Sequence, residues 1–163
     1  MTMENRERHL DDLPLRGGAV VVVGQEMLLI RYAPEDGEKY FIPGGGVEAG
    51  ETPRSAAERE LTEETNLTGV AERELAVVRN HDRLEHYFLM RLEDPESAKE
   101  RATAGDLARG QKLQWVNVAD LPDTPVWPKR LAWRIAHWHD TGWPQQPAVF
   151  SDSIRDLHAP CRW

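Results

Sequence analysis

Three glutamates in this chain share a spacing that a merely solvated helix would avoid. Glu60, Glu63 and Glu64 are related as i, i+3 and i+4, so a helix would place them on one face. Like charges at these intervals destabilise a helix by about 0.2–0.5 kcal/mol per pair. Carboxylate oxygens are the ligands that Mg²⁺ and Mn²⁺ prefer. The spacing therefore indicates a divalent-metal site rather than an acidic surface.

A glycine loop comes before these acids. Pro43 is followed by three consecutive glycines, a composition that lets the backbone approach another group closely. Glu51 lies between the loop and the glutamates and can reach back to Arg59. Such a pair would hold the glycine loop against the helix and orient the acids, as groups behind metal ligands do.

Local signals predict where the glutamate helix begins and ends. Thr52 is a suitable N-cap, and Pro53 suits the first helical position. The apolar pattern continues to about Thr65, and Asn66 readily takes the left-handed conformation that ends helices. We predict a helix from residue 53 to about residue 65.

Residues 45–67 resemble the Nudix box, G-x5-E-x7-R-E-U-x-E-E-x-G-U, where U is a bulky aliphatic residue. The matching positions are Gly45, Glu51, Arg59, Glu60, Leu61, Glu63, Glu64 and Leu67. Asn66 stands where the family usually has glycine. The resemblance implies an α/β fold, a Nudix-like α/β/α sandwich with a mixed β-sheet, built as one domain over residues 1–163. We expect an irregular tail from about residue 143.

The resemblance also implies which groups bind the metal. Glu60, Glu64 and Glu63 would be side-chain ligands and the Gly45 carbonyl a backbone ligand, for Mg²⁺ or alternatively Mn²⁺. Arg59 would orient these acids. The reaction would be attack of water on a phosphorus of a diphosphate, helped by metal that neutralises bridging oxygens.

The general base and the substrate contacts are less well defined than the metal ligands. Glu63 or Glu64 is the preferred base, with three acids outside the helix as alternatives: Asp82, Glu85 and Asp106. Substrate contacts are assigned to Arg31, on an early strand that should run toward the glycine loop, and to Gly44, Gly45 and Gly46.

Signatures that accompany particular substrates in this family are missing or approximate. No proline lies near Arg83, where enzymes of ADP-ribose tend to carry one, and Tyr87 only approximates the dinucleoside polyphosphate signature. By elimination we favour a nucleoside triphosphate or another nucleoside diphosphate derivative, with NDP-sugars and oxidised nucleotides open. A catalytically silent nucleotide sensor is the alternative, and the intact ligand set speaks against it.

Composition narrows the class of partner. The 20 Lys and Arg against 28 Asp and Glu give a formal charge of −8, which argues against nucleic acid, including RNA ends, and against anionic lipid. The longest aliphatic run, residues 19–23, is too short to cross a membrane. A lone cysteine, Cys161, and a charged N-terminus predict a cytoplasmic protein. Six tryptophans would suit a homodimer interface.

Hydrophobic patterning supplies the remaining elements. We predict strands at 18–23, 27–33, 39–42, 72–80, 84–92 and 112–118, a mobile loop at 93–110 and a helix at 128–141. Trp127, Trp133, Trp138 and Trp143 could stack on a base, but helical spacing favours core burial for Trp138.

Overall fold

A computed structural model describes residues 13–159 of the chain. The strands are β1 (Leu15–Val20), β2 (Val22–Val23), β3 (Glu26–Tyr32), β4 (Lys39–Phe41), β5 (Gly44–Gly46), β6 (Gly69–Asn80), β7 (Arg83–Leu92), β8 (Gln111–Asn117), β9 (Val126–Trp127) and β10 (Ala148–Ser151). The helices are α1 (Pro53–Thr65), α2 (Ala98–Arg101) and α3 (Lys129–Thr141), with a 3₁₀ helix at Val118–Asp123.

The strands form two sheets. The first has the order β10-β6-β7-β1-β5, and the second has the order β2-β3-β4-β9 with β8 also pairing with β3. Strand β1 is parallel to β7 and antiparallel to β5, so the first sheet is mixed. Its edges are β5, which carries the glycines, and β10 near the end of the described chain.

The two long helices lie on opposite sides of this framework. Leu61 of α1 packs in a cluster with Ala19 and Phe88, whereas Leu131 of α3 packs in a second cluster with Val20 and Tyr87. Neighbouring strand residues point to opposite faces, so the two clusters cover both faces of the first sheet. The predicted α/β/α sandwich with a mixed sheet is confirmed.

Most predicted elements are present within a few residues of their expected bounds. Helix α1 begins and ends as predicted: the Thr52 side chain accepts a hydrogen bond from Ser55 N, and Asn66 has φ 59°. Each long helix has 13 residues. No helix in residues 13–159 has the length and apolar character needed to cross a membrane.

Two stretches differ from the predictions. The supposed mobile loop contains the short helix α2, and Thr103, Gly105 and Asp106 after it are hydrogen-bonded to α1. The supposed irregular tail contains β10, which pairs in parallel with β6 through Ala148 and Ala76. Pairing with a partner strand far away in sequence leaves no periodic signal in so short a segment.

Asp152 fixes the residues after β10 to the start of α3. Its side chain is fully buried, and Oδ2 accepts a 2.7 Å hydrogen bond from Arg130 N. Oδ1 accepts a further bond from Ile154 N at 3.3 Å. Burial raises the pKa of Asp152, while these N–H groups act in the opposite direction. Pro128, the N-cap of α3, has no side-chain acceptor, so Asp152 satisfies the helix N-terminus instead.

We predict that Asp152→Ala lowers the free energy of unfolding by about 1–3 kcal/mol, because it leaves a buried N–H without an acceptor. Asp152→Asn keeps an amide oxygen at this position and should lose less. Urea denaturation of both variants, with Ser153→Ala as an exposed control, measures the difference. Equal stability of all three variants and the wild type would contradict this role for Asp152.

Candidate functional site

Arg59 is the hub of the site on α1. Its Nε and Nη2 donate to the two carboxylate oxygens of Glu51 at 2.8 and 3.0 Å. Its Nη1 donates to Glu60 at 2.9 Å and to Glu63 at 3.1 Å, and Nη2 also reaches the Gly46 carbonyl at 3.1 Å. The bond to Glu51, followed by that to Glu60, raises the pKa of Arg59 despite its partial burial. One guanidinium thus joins the glycine strand β5 to the helix.

Glu64 lies apart from this network and contacts β5 directly. Gly44 N donates to Glu64 Oε1 at 2.7 Å. Burial raises the pKa of Glu64 to about 7; the Gly44 N–H opposes this shift, and the charge of Glu60 adds to it. The Glu64 carboxylate is therefore held in a place where a negative charge is costly unless a cation accompanies it.

Gly45 faces the helix so closely that no side chain fits. A Cβ at this position would overlap the Glu60 carboxylate. The missing side chain leaves this space to Glu60. The Gly45 carbonyl lies on β5 between Gly44, which is bonded to Glu64, and Gly46, which is bonded to Arg59. This close approach explains the need for glycine at position 45.

The donor chemistry of this face fits a divalent cation. Glu60, Glu63 and Glu64 supply hard oxygens on one helix face, and the desolvated Glu64 would be stabilised by positive charge. Within residues 13–159 no three acidic, histidine or cysteine groups are already drawn together as a ligand cluster. Arg59 engages one oxygen of Glu60 and one oxygen of Glu63, which leaves the other oxygen of each carboxylate for a metal.

The segment after α2 covers the C-terminal end of α1. Gly105 N and Asp106 N donate to the carbonyls of Glu64 and Glu63 at 3.0 and 2.7 Å. Asn66 Nδ2 donates to both oxygens of Thr103 at 2.9 Å. A Cβ on Gly105 would overlap the Glu63 carbonyl, so the segment lies directly on the turn that carries two of the glutamates. It fixes that turn through backbone hydrogen bonds.

A cavity of about 440 Å³ opens between the two sheets, on the face of the first sheet opposite α1. It is lined by Arg16, Lys39, Phe41, Ile42, Asn80, Arg83, Glu85, Tyr87, Trp127, Arg155 and Leu157. Four of these residues are cationic and only one is acidic, although the whole chain carries −8. Local positive charge of this kind suits an anionic ligand.

Arg16 connects the cavity to the glutamate helix. Its Nη2 donates to the Ile42 carbonyl at 3.4 Å, and its charge opposes the rise in the pKa of Glu64 that burial causes. Arg16 therefore lies close enough to Glu64 to act on it electrostatically while also lining the cavity. A ligand in the cavity would have one end beside Glu64.

Glu85 forms the floor of the cavity and is almost fully buried, with 1% of its surface exposed. Its Oε1 accepts from Arg83 at 2.8 Å and its Oε2 accepts from the Tyr87 hydroxyl at 3.0 Å. Burial and the neighbouring Glu85 charge raise the pKa of Tyr87. Both Glu85 oxygens are thus already hydrogen-bonded to residues that line the cavity.

The structure brings some predicted site residues together and leaves others apart. The glutamates and the glycine strand are close together as expected: Arg59 is bonded to Glu60, Glu63 and Gly46, and Glu64 is bonded to Gly44. Arg31 donates to Glu38 at 2.9 Å and does not line the cavity. Asp82 lies exposed in the β6–β7 turn.

Asp106 contacts the helix through its backbone rather than its side chain. Of the tryptophans, Trp127 lines the cavity, Trp138 and Trp143 pack against the core, and Trp133 stacks on His137.

Sequence reasoning missed most of the cavity. Arg16, Lys39, Phe41 and Arg155 gave no signal, because they are single residues on elements far apart in the chain. Trp127 was considered only as one of four tryptophans that could stack on a base.

A sequence profile of the NUDIX domain matches residues 14–139. The chain belongs to the NUDIX family. It is 32% identical over 83 residues to diphosphoinositol polyphosphate phosphohydrolase 2 of Rattus norvegicus, a match covering 51% of this chain and 45% of that protein. The Homo sapiens protein of the same name is 31% identical over the same length. The match thus spans less than half the length of these curated relatives.

Solved structures share the fold. A NUDIX hydrolase from Nitrosomonas europaea superposes with a TM-score of 0.64 at 20% identity, covering 88% of this chain and 82% of the other. An ADP-ribose pyrophosphatase from Streptococcus suis gives 0.60 at 19% identity, with 85% and 98% covered. A UDP-X diphosphatase gives 0.58 at 20% identity, with 83% and 66% covered.

We predict that Glu51→Gln weakens Mn²⁺ binding about 10- to 100-fold, the usual loss when a group behind metal ligands is removed. The amide keeps one acceptor oxygen but loses the charge and the second acceptor, so it weakens the contact that positions Arg59. Isothermal titration with Mn²⁺ measures the affinity. Glu48→Gln is the matched control, because Glu48 is 68% exposed and lies 3.7 Å from Arg59. Equal losses in both variants would contradict a specific role for Glu51.

Proposed function

We propose that this chain is an Mg²⁺-dependent hydrolase that cleaves the diphosphate linkage of a nucleoside triphosphate or another nucleoside diphosphate derivative. The observation that carries the proposal is the position of Glu64. This partly buried carboxylate is bonded to Gly44 N on the glycine strand and feels the charge of Arg16, a residue of the cationic cavity. The names of the NUDIX relatives, which describe phosphohydrolases and diphosphatases, agree with this reaction class.

Glu60, Glu63, Glu64 and the Gly45 carbonyl would hold the metal. When bound, Mg²⁺ supplies positive charge that neutralises diphosphate oxygens and acidifies an attacking water. Manganese would satisfy the same oxygen donors. Arg59, held by Glu51, would keep the glutamates and the glycine strand in one arrangement during binding.

Glu63 is the better placed of the two helical candidates for the general base. Only its Oε2 is engaged, by Arg59, and the side chain is 46% exposed. Glu64 Oε1 already accepts from Gly44 N, which suits a ligand that must stay in place. Glu63 would take the proton of the attacking water, while Arg16 would bind an oxygen of the diphosphate.

An aromatic wall favours a nucleoside as the organic part of the substrate. Phe41 and Trp127 are paired in register on β4 and β9, and both line the cavity. Neighbouring rings on one sheet offer a flat apolar surface to a base, and stacking of a base on an aromatic residue contributes about 1–3 kcal/mol. The base would lie on the second sheet and the phosphates toward Arg16.

The decisive experiment is a panel of nucleoside triphosphates, NDP-sugars and dinucleotides incubated with Mg²⁺ or Mn²⁺, with the products identified by mass spectrometry. Hydrolysis at a diphosphate linkage is the expected result.

Glu64→Gln should lower kcat by at least about 100-fold with an unchanged circular dichroism spectrum, because the amide is nearly isosteric but uncharged. Activity near that of the wild type would remove Glu64 from the ligand set.

Absence of turnover across the whole panel would favour the alternative, a nucleotide sensor with this fold. The full set of three glutamates speaks against that alternative, since a protein that only binds nucleotide has no need of a clustered ligand set on α1.

Stacking on the aromatic wall gives a separate prediction. Trp127→Ala should raise KM about tenfold, the effect of losing roughly 1.4 kcal/mol of binding, with a smaller effect on kcat. Trp127→Phe retains a ring and should recover most of the affinity. A fall in kcat at unchanged KM would argue against a binding role for this side chain.

A further inference from the structure

The cavity is completed by residues outside the stretch that matches the family. That stretch ends at residue 139, whereas Arg155 and Leu157 line the cavity. Asp152 N donates to the Arg79 carbonyl at 3.0 Å, and the Asp152 carboxylate is bonded to α3. Leu157 is only 6% exposed. Arg155 thus lies between two buried anchor points, which fix the segment 152–157 at the rim of the cavity.

The four cations of the cavity differ in their partners. Arg83 is paired with Glu85, and Arg16 is bonded to the Ile42 carbonyl and acts on Glu64. Lys39 and Arg155 have no ion pair or side-chain hydrogen bond to another residue in the described range 13–159. Two cations at one cavity, in a chain that carries −8, leave positive charge that a diphosphate beside Arg16 would not use.

Sheet order places β10, the strand that precedes Arg155, at the edge of the first sheet remote from Glu64. Glu64 is bonded to β5, at one edge of the first sheet, and Arg155 follows β10, at the opposite edge. The four strand spacings between these edges amount to about 19 Å. The lining residues cross the sheet in that order, from Arg16 on β1 through Glu85 on β7 to Asn80 on β6.

We propose that Arg155, assisted by Lys39, binds a phosphomonoester on the part of the substrate remote from the bond that is cut. The segment 152–157 would then determine specificity, and the substrate class would be nucleoside diphosphate derivatives with a third, separate phosphate. The inference rests on the proposed function for the position of the scissile bond. Arginine suits this task, because its planar guanidinium donates two parallel hydrogen bonds to a phosphate.

The test compares ligands that differ by one phosphomonoester: NADP⁺ with NAD⁺, and coenzyme A with dephospho-coenzyme A. Isothermal titration is done with Ca²⁺ in place of Mg²⁺, so that binding can be measured whether or not the protein hydrolyses the ligand. The wild type should bind the phosphorylated member of at least one pair at least tenfold more tightly. Arg155→Ala should abolish this preference, and Arg155→Lys should restore part of it.

Arg91→Ala is the matched control, since Arg91 is an exposed arginine outside the cavity, and it should keep the wild-type preference. Equal affinity within both pairs, no binding of either pair, or a preference that survives Arg155→Ala would each overturn the inference. Hydrolysis in the Mg²⁺ panel together with any of these results leaves the proposed function standing. A preference lost in Arg155→Ala without any hydrolysis supports the anion site and contradicts the proposed function.

Discussion

The site depends on one cation surrounded by carboxylates. Glu51, Glu60 and Glu63 would repel one another at such close range, and the Arg59 guanidinium offsets that repulsion by bonding to all three. The same guanidinium donates to the Gly46 carbonyl, so the group that offsets the repulsion among the acids also fixes β5 to α1. Glu64 is left outside this network, partly buried and bonded to a backbone N–H, as the acid with the greatest need of a further cation.

Local signals predicted the part of the site that is local in sequence. The bounds of α1 follow from Thr52, Pro53 and Asn66, each of which acts within a few residues of its own position. The bond between Glu51 and Arg59 spans eight residues and was expected from their spacing. The contacts within a continuous motif join residues that are close in sequence. The sequence alone was therefore enough to predict this part of the site.

The cavity could not be predicted in this way. Arg16 and Arg155 come from opposite ends of the described chain and line one cavity only because β6 and β7 join β1 and β10 in one sheet. Arg31 was assigned to substrate on the direction of its strand, yet Glu38 in the adjacent loop engages it, and it does not line the cavity. Asp152 caps a helix that begins more than twenty residues earlier, a contact that no local pattern encodes.

The asparagine that ends α1 has a consequence for how related sequences can vary. Glycine at this position would supply the left-handed turn alone, whereas Asn66 also donates to both oxygens of Thr103. A chain that carries glycine here has no comparable demand on residue 103. We therefore expect the two positions to vary together among related sequences, because an asparagine at residue 66 needs acceptors on residue 103 and a glycine does not.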